Sequence, residues 1–262
     1  MLSPGQALLR PLRDLESRNL HWISPSSLLE EAAVLMIYRR ARHLPVGSGG
    51  VASYMISIRD VARAMLGHDA SWRALRVSDV AATPPVSLEA GSTVSDAVKL
   101  MARRYLGSVL VTSNGTVEGI VTERDLVRLA ADITTHRRIY DAMTVDPKVA
   151  DLSTTARGAL SIMISGSFRH LPVASGGSIV GITSMRDIVS RIAEGRMGLE
   201  DPLRSAVTYD PLTIDPSASS EEAARLMSSR DVGSLLVLDA GRLVGILTER
   251  DLVLRVLAKL VS

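Results

Sequence analysis

At 262 residues and 46% apolar content, the chain is long enough to bury one large core or two modest ones. It has no cysteine, which excludes disulfides, thiolate catalysis and cysteine-ligated zinc or iron–sulfur centres. A formal charge of +2, one Phe and two Trp leave no basic stripe and few stacking platforms, so nucleic acid is not the expected partner. The longest apolar run, residues 32–38, is far shorter than a membrane span, and no basic-then-apolar leader opens the chain, so a cytoplasmic location is expected.

Residues 1–10 show no clear pattern; from there the chain states one theme four times. In the first copy Trp22-Ile23 reads as a short strand and Ser27-x-x-Glu30 as a helix start, with Ala32, Ala33 and Met36 along one helical face. Leu44-Pro45-Val46 reads as a strand and Gly47-Ser48-Gly49-Gly50 as a hairpin connection. Tyr54-Met55-Ile56-Ser57-Ile58-Arg59-Asp60-Val61 then runs from strand directly into helix. The polar Gly67-His68-Asp69-Ala70 closes the copy.

The second copy offers Pro85-Val86-Ser87, the cap Thr93-x-x-Asp96, the face Ala97, Val98 and Met101, and the strand Val109-Leu110-Val111. Asn114-Gly115 suits a type I′ turn, and Gly119-Ile120-Val121-Thr122-Glu123-Arg124-Asp125-Leu126 follows. A basic stretch, Thr135-His136-Arg137-Arg138, divides the halves. The third copy has Lys148-Val149, Ala159, Leu160 and Met163, Leu171-Pro172-Val173, Gly176-Gly177 and Gly181-Ile182-Thr183-Ser184-Met185-Arg186-Asp187-Ile188. After a polar stretch at 194–202 the fourth has Pro211-Leu212-Thr213, Ser219-x-x-Glu222, Ala223, Ala224 and Met227, Leu235-Leu236-Val237, Ala240-Gly241 and Gly245-Ile246-Leu247-Thr248-Glu249-Arg250-Asp251-Leu252.

The landmark methionines 36, 101, 163 and 227 step by 65, 62 and 64, and the motif aspartates 60, 125, 187 and 251 step identically, so the offset between them is 24 in every copy. Insertions therefore fall between copies and never inside this core. Each copy reads as β-α-β-β-α within an α/β (α+β) class. A piece of about 60 residues buries too little surface alone, so neighbours are expected to pair into modules 1–131 and 138–262.

The chemistry sits where strand turns into helix. Thr122-x-x-Asp125 puts a hydroxyl at the N-cap and a carboxylate at N3, beside unpaired N–H groups. That is a structural capping box; it is also an arrangement that can hold a ribose diol on the Asp and a phosphate at the helix N-terminus. The same two readings apply to Ser57 and Asp60, Ser184 and Asp187, and Thr248 and Asp251. Gly119, Gly181 and Gly245 allow close backbone approach or mark a β-bulge. Arg59, Arg124, Arg186 and Arg250 oppose the helix dipole, so their recurrence calls for a partner, a neighbouring carboxylate being the expected one. The copies also alternate. Odd copies carry Arg42-His43 and Arg169-His170 before Leu-Pro-Val, either a phosphate-neutralising edge or a basic strand edge that resists aggregation; even copies carry Gly107-Ser108 and Gly233-Ser234.

These residues resemble the cystathionine β-synthase (CBS) domain family, through the β-α-β-β-α repeats, the H-L-P-V or G-S-x-L-V strand and the G-h-h-[ST]-x-x-D motif. The resemblance runs from about Leu12 to Lys259 and implies CBS domains at 12–66, 75–131, 138–193 and 203–259, packed through their sheets into two Bateman modules whose clefts hold adenosine compounds. It puts Asp60, Asp125, Asp187 and Asp251 on ribose, with Ser57, Thr122, Ser184 and Thr248 beside them. The early-strand residues Trp22-Ile23, Pro85-Val86, Lys148-Val149 and Pro211-Leu212 flank the base. The four-domain layout resembles the regulatory gamma subunits of AMP-activated protein kinase and stand-alone archaeal relatives, which makes Arg42, His43, Arg169 and His170 phosphate contacts.

Tyr54 replaces the motif glycine in copy one, and even copies lack a base before the strand, so copy three ranks first, two and four next, one last. The expected function is non-catalytic sensing of AMP, ADP or ATP, with a homodimer or another protein as partner, no metal and no catalytic cofactor. The chain has no G-x-x-x-x-G-K-[ST], no G-x-S-x-G and no histidine pair at i, i+4. The alternatives are another adenosine ligand such as S-adenosylmethionine, or a scaffold or nucleic-acid adaptor.

Overall fold

A computed structural model describes residues 3–18, 20–81 and 83–261. Repeat one runs through α2 (Leu29–Tyr38), the hairpin β1 (His43–Ser48) and β2 (Val51–Ser57), and α3 (Ile58–His68), after a short α1 (Pro4–Leu8). A turn of helix, α4 (Val77–Val80), leads to repeat two: β3 (Ser87–Glu89), α5 (Val94–Arg104), β4 (Ser108–Ser113), β5 (Thr116–Thr122) and α6 (Glu123–Ala130). Repeat three has β6 (Thr144–Val145), β7 (Ala150–Asp151), α7 (Ala156–Ser165), β8 (His170–Ser175), β9 (Ser178–Ser184) and α8 (Met185–Ala193). Repeat four has β10 (Thr208–Tyr209), β11 (Thr213–Ile214), α9 (Ser220–Arg230), β12 (Ser234–Asp239), β13 (Arg242–Thr248) and α10 (Glu249–Asp251). Its last helix continues as a π-helical turn, Leu252–Val256, and a 3-10 turn, Leu257–Leu260.

Local chemistry explains most of this. Both central residues of each hairpin turn have positive φ, at Gly49-Gly50, Asn114-Gly115, Gly176-Gly177 and Ala240-Gly241, as a type I′ turn demands. Thr93, Thr155 and Ser219 cap their helices by accepting the backbone N–H three residues on. The expected cap at Ser27 is not used. Helix α2 starts one residue later, with Leu28 N–H donating to Glu31 Oε2 at 3.0 Å, because the Ser27 carbonyl accepts from Val77 N–H and Glu30 faces Arg73. The short opening strands also sit one or two residues later than read from the sequence. They pair in parallel with the first hairpin strand: β3 with β4, β7 with β8, β11 with β12, and Ile23 with Val46.

The segments leading into each repeat are exchanged between neighbours. Ser17, ahead of repeat one, bridges Ile120 on β5, and Thr83, ahead of repeat two, bridges Met55 on β2. Likewise β6 adds to β13 of repeat four and β10 adds to β9 of repeat three. The motif glycines make room for this. A Cβ at Gly181 would stand 2.4 Å from Val207 Cγ1 and 2.5 Å from the Thr208 carbonyl oxygen. At Gly245 it would meet Met143 Sδ at 2.5 Å, and at Gly119 the Glu16 side chain at 2.9 Å. The close approach inferred for these glycines is thus made by the chain itself. The bulge lies one residue earlier, leaving Glu118, Val180 and Val244 unopposed in the ladder.

Two compact units result, and they follow alternate repeats instead of neighbours. The even unit comprises Met1–Asn19, Val86–Pro147 and Leu212–Ser262; the odd unit comprises Leu20–Pro85 and Lys148–Pro211. In the odd unit α2 and α3 pack on α7 and α8 around Met36, Met65, Met163, Met185 and Trp72. In the even unit α5 and α6 pack on the helices of repeat four around Met101, Leu126, Met227 and Leu252, joined by Ala7, Leu8 and Leu12. The methionines found at constant spacing are therefore the centres of two shared helical cores. The segment Thr135-His136-Arg137-Arg138, read as a divider, is anchored inside the even unit. Thr135 and His136 N–H groups donate to the Glu221 carboxylate, and Ser220 N–H donates to the Arg137 carbonyl at 2.8 Å. Among the described residues no helix is long and apolar enough to cross a membrane.

Candidate functional site

The four strand-to-helix turns are superimposable in their chemistry. Asp60 Oδ2 accepts from Ser57 N–H at 2.9 Å and from Ser57 Oγ at 2.7 Å. Asp125 does the same with Thr122 (2.9 and 2.7 Å), Asp187 with Ser184 (2.9 and 2.7 Å) and Asp251 with Thr248 (2.9 and 2.6 Å). One carboxylate oxygen is thus committed to the cap, so the structural half of the motif's reading is satisfied in every repeat. What a ligand can use is the other oxygen, Oδ1.

Register brings the second half of each candidate set to the same place. His43 lies opposite Ser57, Ser108 opposite Thr122, His170 opposite Ser184 and Ser234 opposite Thr248. The carbonyls of Arg42, Gly107, Arg169 and Gly233 accept the first helical N–H of their own repeats, at 2.9–3.1 Å. Each turn therefore carries a hydroxyl, a carboxylate and an edge that is either Arg-His or Gly-Ser. Both Arg-His edges fall in the odd unit and both Gly-Ser edges in the even unit, because the units follow alternate repeats. Tyr54, at the glycine position of repeat one, is 41% exposed.

The four Oδ1 atoms differ in their surroundings. Asp60 Oδ1 has Arg63 at 3.4 Å, Asp125 Oδ1 has Arg128 at 3.7 Å, and Asp251 Oδ1 has Arg255 at 3.6 Å and the Thr144 hydroxyl at 3.4 Å. Among the described residues Asp187 has no such cation, although Arg191 stands at the same i, i+4 spacing as Arg255. Repeat three thus combines an Arg-His edge with the least engaged carboxylate oxygen.

Asp251 is the most enclosed, only 7% exposed, and burial pushes its carboxyl above the usual carboxylate range despite its bonds to Thr248 and the nearby Arg255. Asp96 receives the same pair of cap bonds from Thr93 near the surface, and there the bonds win, holding it below that range. Because folding raises the Asp251 pKa, its stabilising share is present below the unfolded value and lost as pH rises through the folded one. We expect the stability gap between wild type and Asp251→Asn to move in favour of wild type when thermal melts are taken from pH 7 down to about pH 4. A gap independent of pH would contradict this.

The motif arginines reach across to the alternate repeat. In the even unit Arg124 Nε donates to Glu249 at 2.9 Å and its Nη1 to Asp231 at 2.8 Å, while Arg250 Nε donates to Glu123 at 2.7 Å. In the odd unit Arg59 donates to the Phe168 carbonyl and Arg186 to the Arg40 carbonyl, at 3.3 and 2.9 Å. Those carbonyls lie two or three residues past the C-terminal ends of α7 and α2. The expected carboxylate partner is therefore present in the even unit, and in the odd unit backbone oxygens accept from the same two positions. Glu123 and Glu249 did not stand out by motif. Their signal was the residue before the arginine, which alternates Ile58, Glu123, Met185, Glu249.

Four β-α-β-β-α repeats with exchanged lead segments and a hydroxyl–carboxylate turn in each define a mixed α/β protein of paired repeats. The CBS domain family matches residues 12–67, 77–132, 139–194 and 203–258, and the chain belongs to that family. An uncharacterised 33.4 kDa protein of a ribosomal RNA operon in Thermofilum pendens is 28% identical over 260 residues, covering 89% of this chain and 86% of its own. Protein MJ1225 of Methanocaldococcus jannaschii is 22% identical over 272 residues. Its crystal structure, of a candidate archaeal homologue of γ-AMPK, covers 93% of this chain and 99% of its own with a TM-score of 0.83 at 20% identity. A conserved protein from Pyrococcus horikoshii shares the fold with a TM-score of 0.66 at 19% identity, covering 97% of this chain and all of its own.

Proposed function

We propose that this protein is a non-catalytic regulator that binds adenine nucleotides, AMP, ADP or ATP, at its strand-to-helix turns, with the repeat-three turn as its principal site. The observation that carries the reading is the repeat-three set: Asp187 with Oδ1 free of a cation among the described residues, Ser184 on its Oδ2, and Arg169-His170 on the facing strand. A carboxylate oxygen suits a ribose diol, and an Arg-His edge beside a helix N-terminus suits a phosphate. Repeat one shares the basic edge, Arg42-His43, but Asp60 already faces Arg63 and Tyr54 stands in place of the glycine. Family membership supports the adenosine class, and ligand occupancy is read by a homodimer partner or another protein.

The even turns favour a second ligand. Gly107-Ser108 and Gly233-Ser234 bring no charge for a phosphate, so an adenosine compound without a polyphosphate, such as S-adenosylmethionine, fits them better than ATP does. Calorimetric titration of nucleotide-free protein with AMP, ADP, ATP and S-adenosylmethionine tests both. Saturable heat with a nucleotide is the expected result, and four flat titrations would sink the proposal.

A further inference from the structure

The turns of repeats two and four hold each other at both ends. Arg124 stands directly before Asp125 and donates to Glu249, and Arg250 stands directly before Asp251 and donates to Glu123. Each glutamate opens the helix whose third residue is the motif aspartate. Both glutamates are only 2% exposed, so a displacement that parts either pair takes a guanidinium from a buried carboxylate. Two turns linked in this way cannot shift separately without cost. In the odd unit Ile58 and Met185 occupy the glutamate positions, and Arg59 and Arg186 donate to carbonyl oxygens.

We infer that the two sites of the even unit are energetically coupled through this reciprocal pair of ion pairs, so that an adenine nucleotide held at one turn orders the other. The inference rests on the nucleotide reading above. Coupling of this kind is reciprocal and is measured as the effect of one occupied site on the other.

The experiment is amide hydrogen exchange on the full chain, with AMP as the probe and Asp251→Ala removing the ligand carboxylate of repeat four. AMP bound at repeat two is expected to slow exchange over residues 245–252 about fivefold or more, with the same concentration dependence as over residues 120–126. Adding Glu123→Gln and Glu249→Gln should abolish the slowing at repeat four and leave it at repeat two. Slowing confined to residues 120–126 in the Asp251→Ala protein would overturn the coupling while leaving nucleotide binding intact. Slowing at repeat four that survives both glutamine substitutions would overturn the ion pairs as its route. No slowing over residues 120–126 or 245–252 at any AMP concentration would overturn the coupling, and the absence of calorimetric heat as well would overturn the nucleotide reading with it. The mirror arrangement, Asp125→Ala read over residues 120–126, decides the matter if Asp251→Ala fails to fold.

Discussion

Asp187→Ala is expected to weaken the tightest AMP binding by about tenfold or more, the loss typical of a hydrogen bond to a charged group. The argument is a comparison among four nearly identical turns. All four aspartates spend Oδ2 on their own cap, and three of them also set Oδ1 beside an arginine of the same helix. A ligand at those three must compete with a cation already in place; at Asp187 it need not. Asp60→Ala should therefore change AMP affinity by roughly threefold or less, which is under 1 kcal/mol. Calorimetry on the two variants checks the ranking. Circular dichroism melts separate it from the cap loss, which costs stability on the order of 1 kcal/mol in either case. Equal effects of the two substitutions would remove repeat three from its first place.

Arg250→Met is expected to destabilise the even unit by about 3 kcal/mol, the lower end for breaking a buried pair because the guanidinium is 25% exposed. The carboxylate it faces, Glu123, is 2% exposed and would lose the guanidinium that donates to it at 2.7 Å. Replacing both members, Glu123→Ile with Arg250→Met, should return stability to within about 1 kcal/mol of wild type, since apolar contact often replaces a buried pair without loss. The odd unit already carries apolar side chains at the glutamate positions, Ile58 and Met185, both buried. Urea unfolding of the two singles and the double completes the cycle. A double variant as unstable as Arg250→Met would show that the ion pair is not what sets the cost.

The fold was legible wherever a local rule decides the backbone. The type I′ turns and the caps at Thr93 and Ser219 depend on residues within a few positions of one another, and the Met-to-Asp offset of 24 repeats in every copy. The grouping of the helices was harder, because an apolar helical face states that it is buried and not against what. The answer lay in the alternation of Ile58 and Met185 with Glu123 and Glu249, which matches odd repeats to odd and even to even. The motif glycines needed the third dimension, since the atoms that demand them belong to Glu16, Val207 and Met143, far away in sequence. At the candidate site the hydroxyl–carboxylate pairing followed from spacing alone. The state of each Oδ1 did not: Arg255 approaches its aspartate from four residues on and Arg191, at the same spacing, does not.

The exchanged lead segments make every cut in this chain a cut through something folded. Removing residues 1–18 would leave repeat one its helices and strip repeat two of Leu12 and the Ser17 bridge. Dividing the chain near residue 137 would keep both exchanges in each half and lose every helical core. A lone addition would arrive with its lead segment claimed by no one and its helices facing water. The smallest addition that leaves every segment a partner is two repeats at once, and repeat one is like three, and two like four, at the strand edge and before the motif arginine.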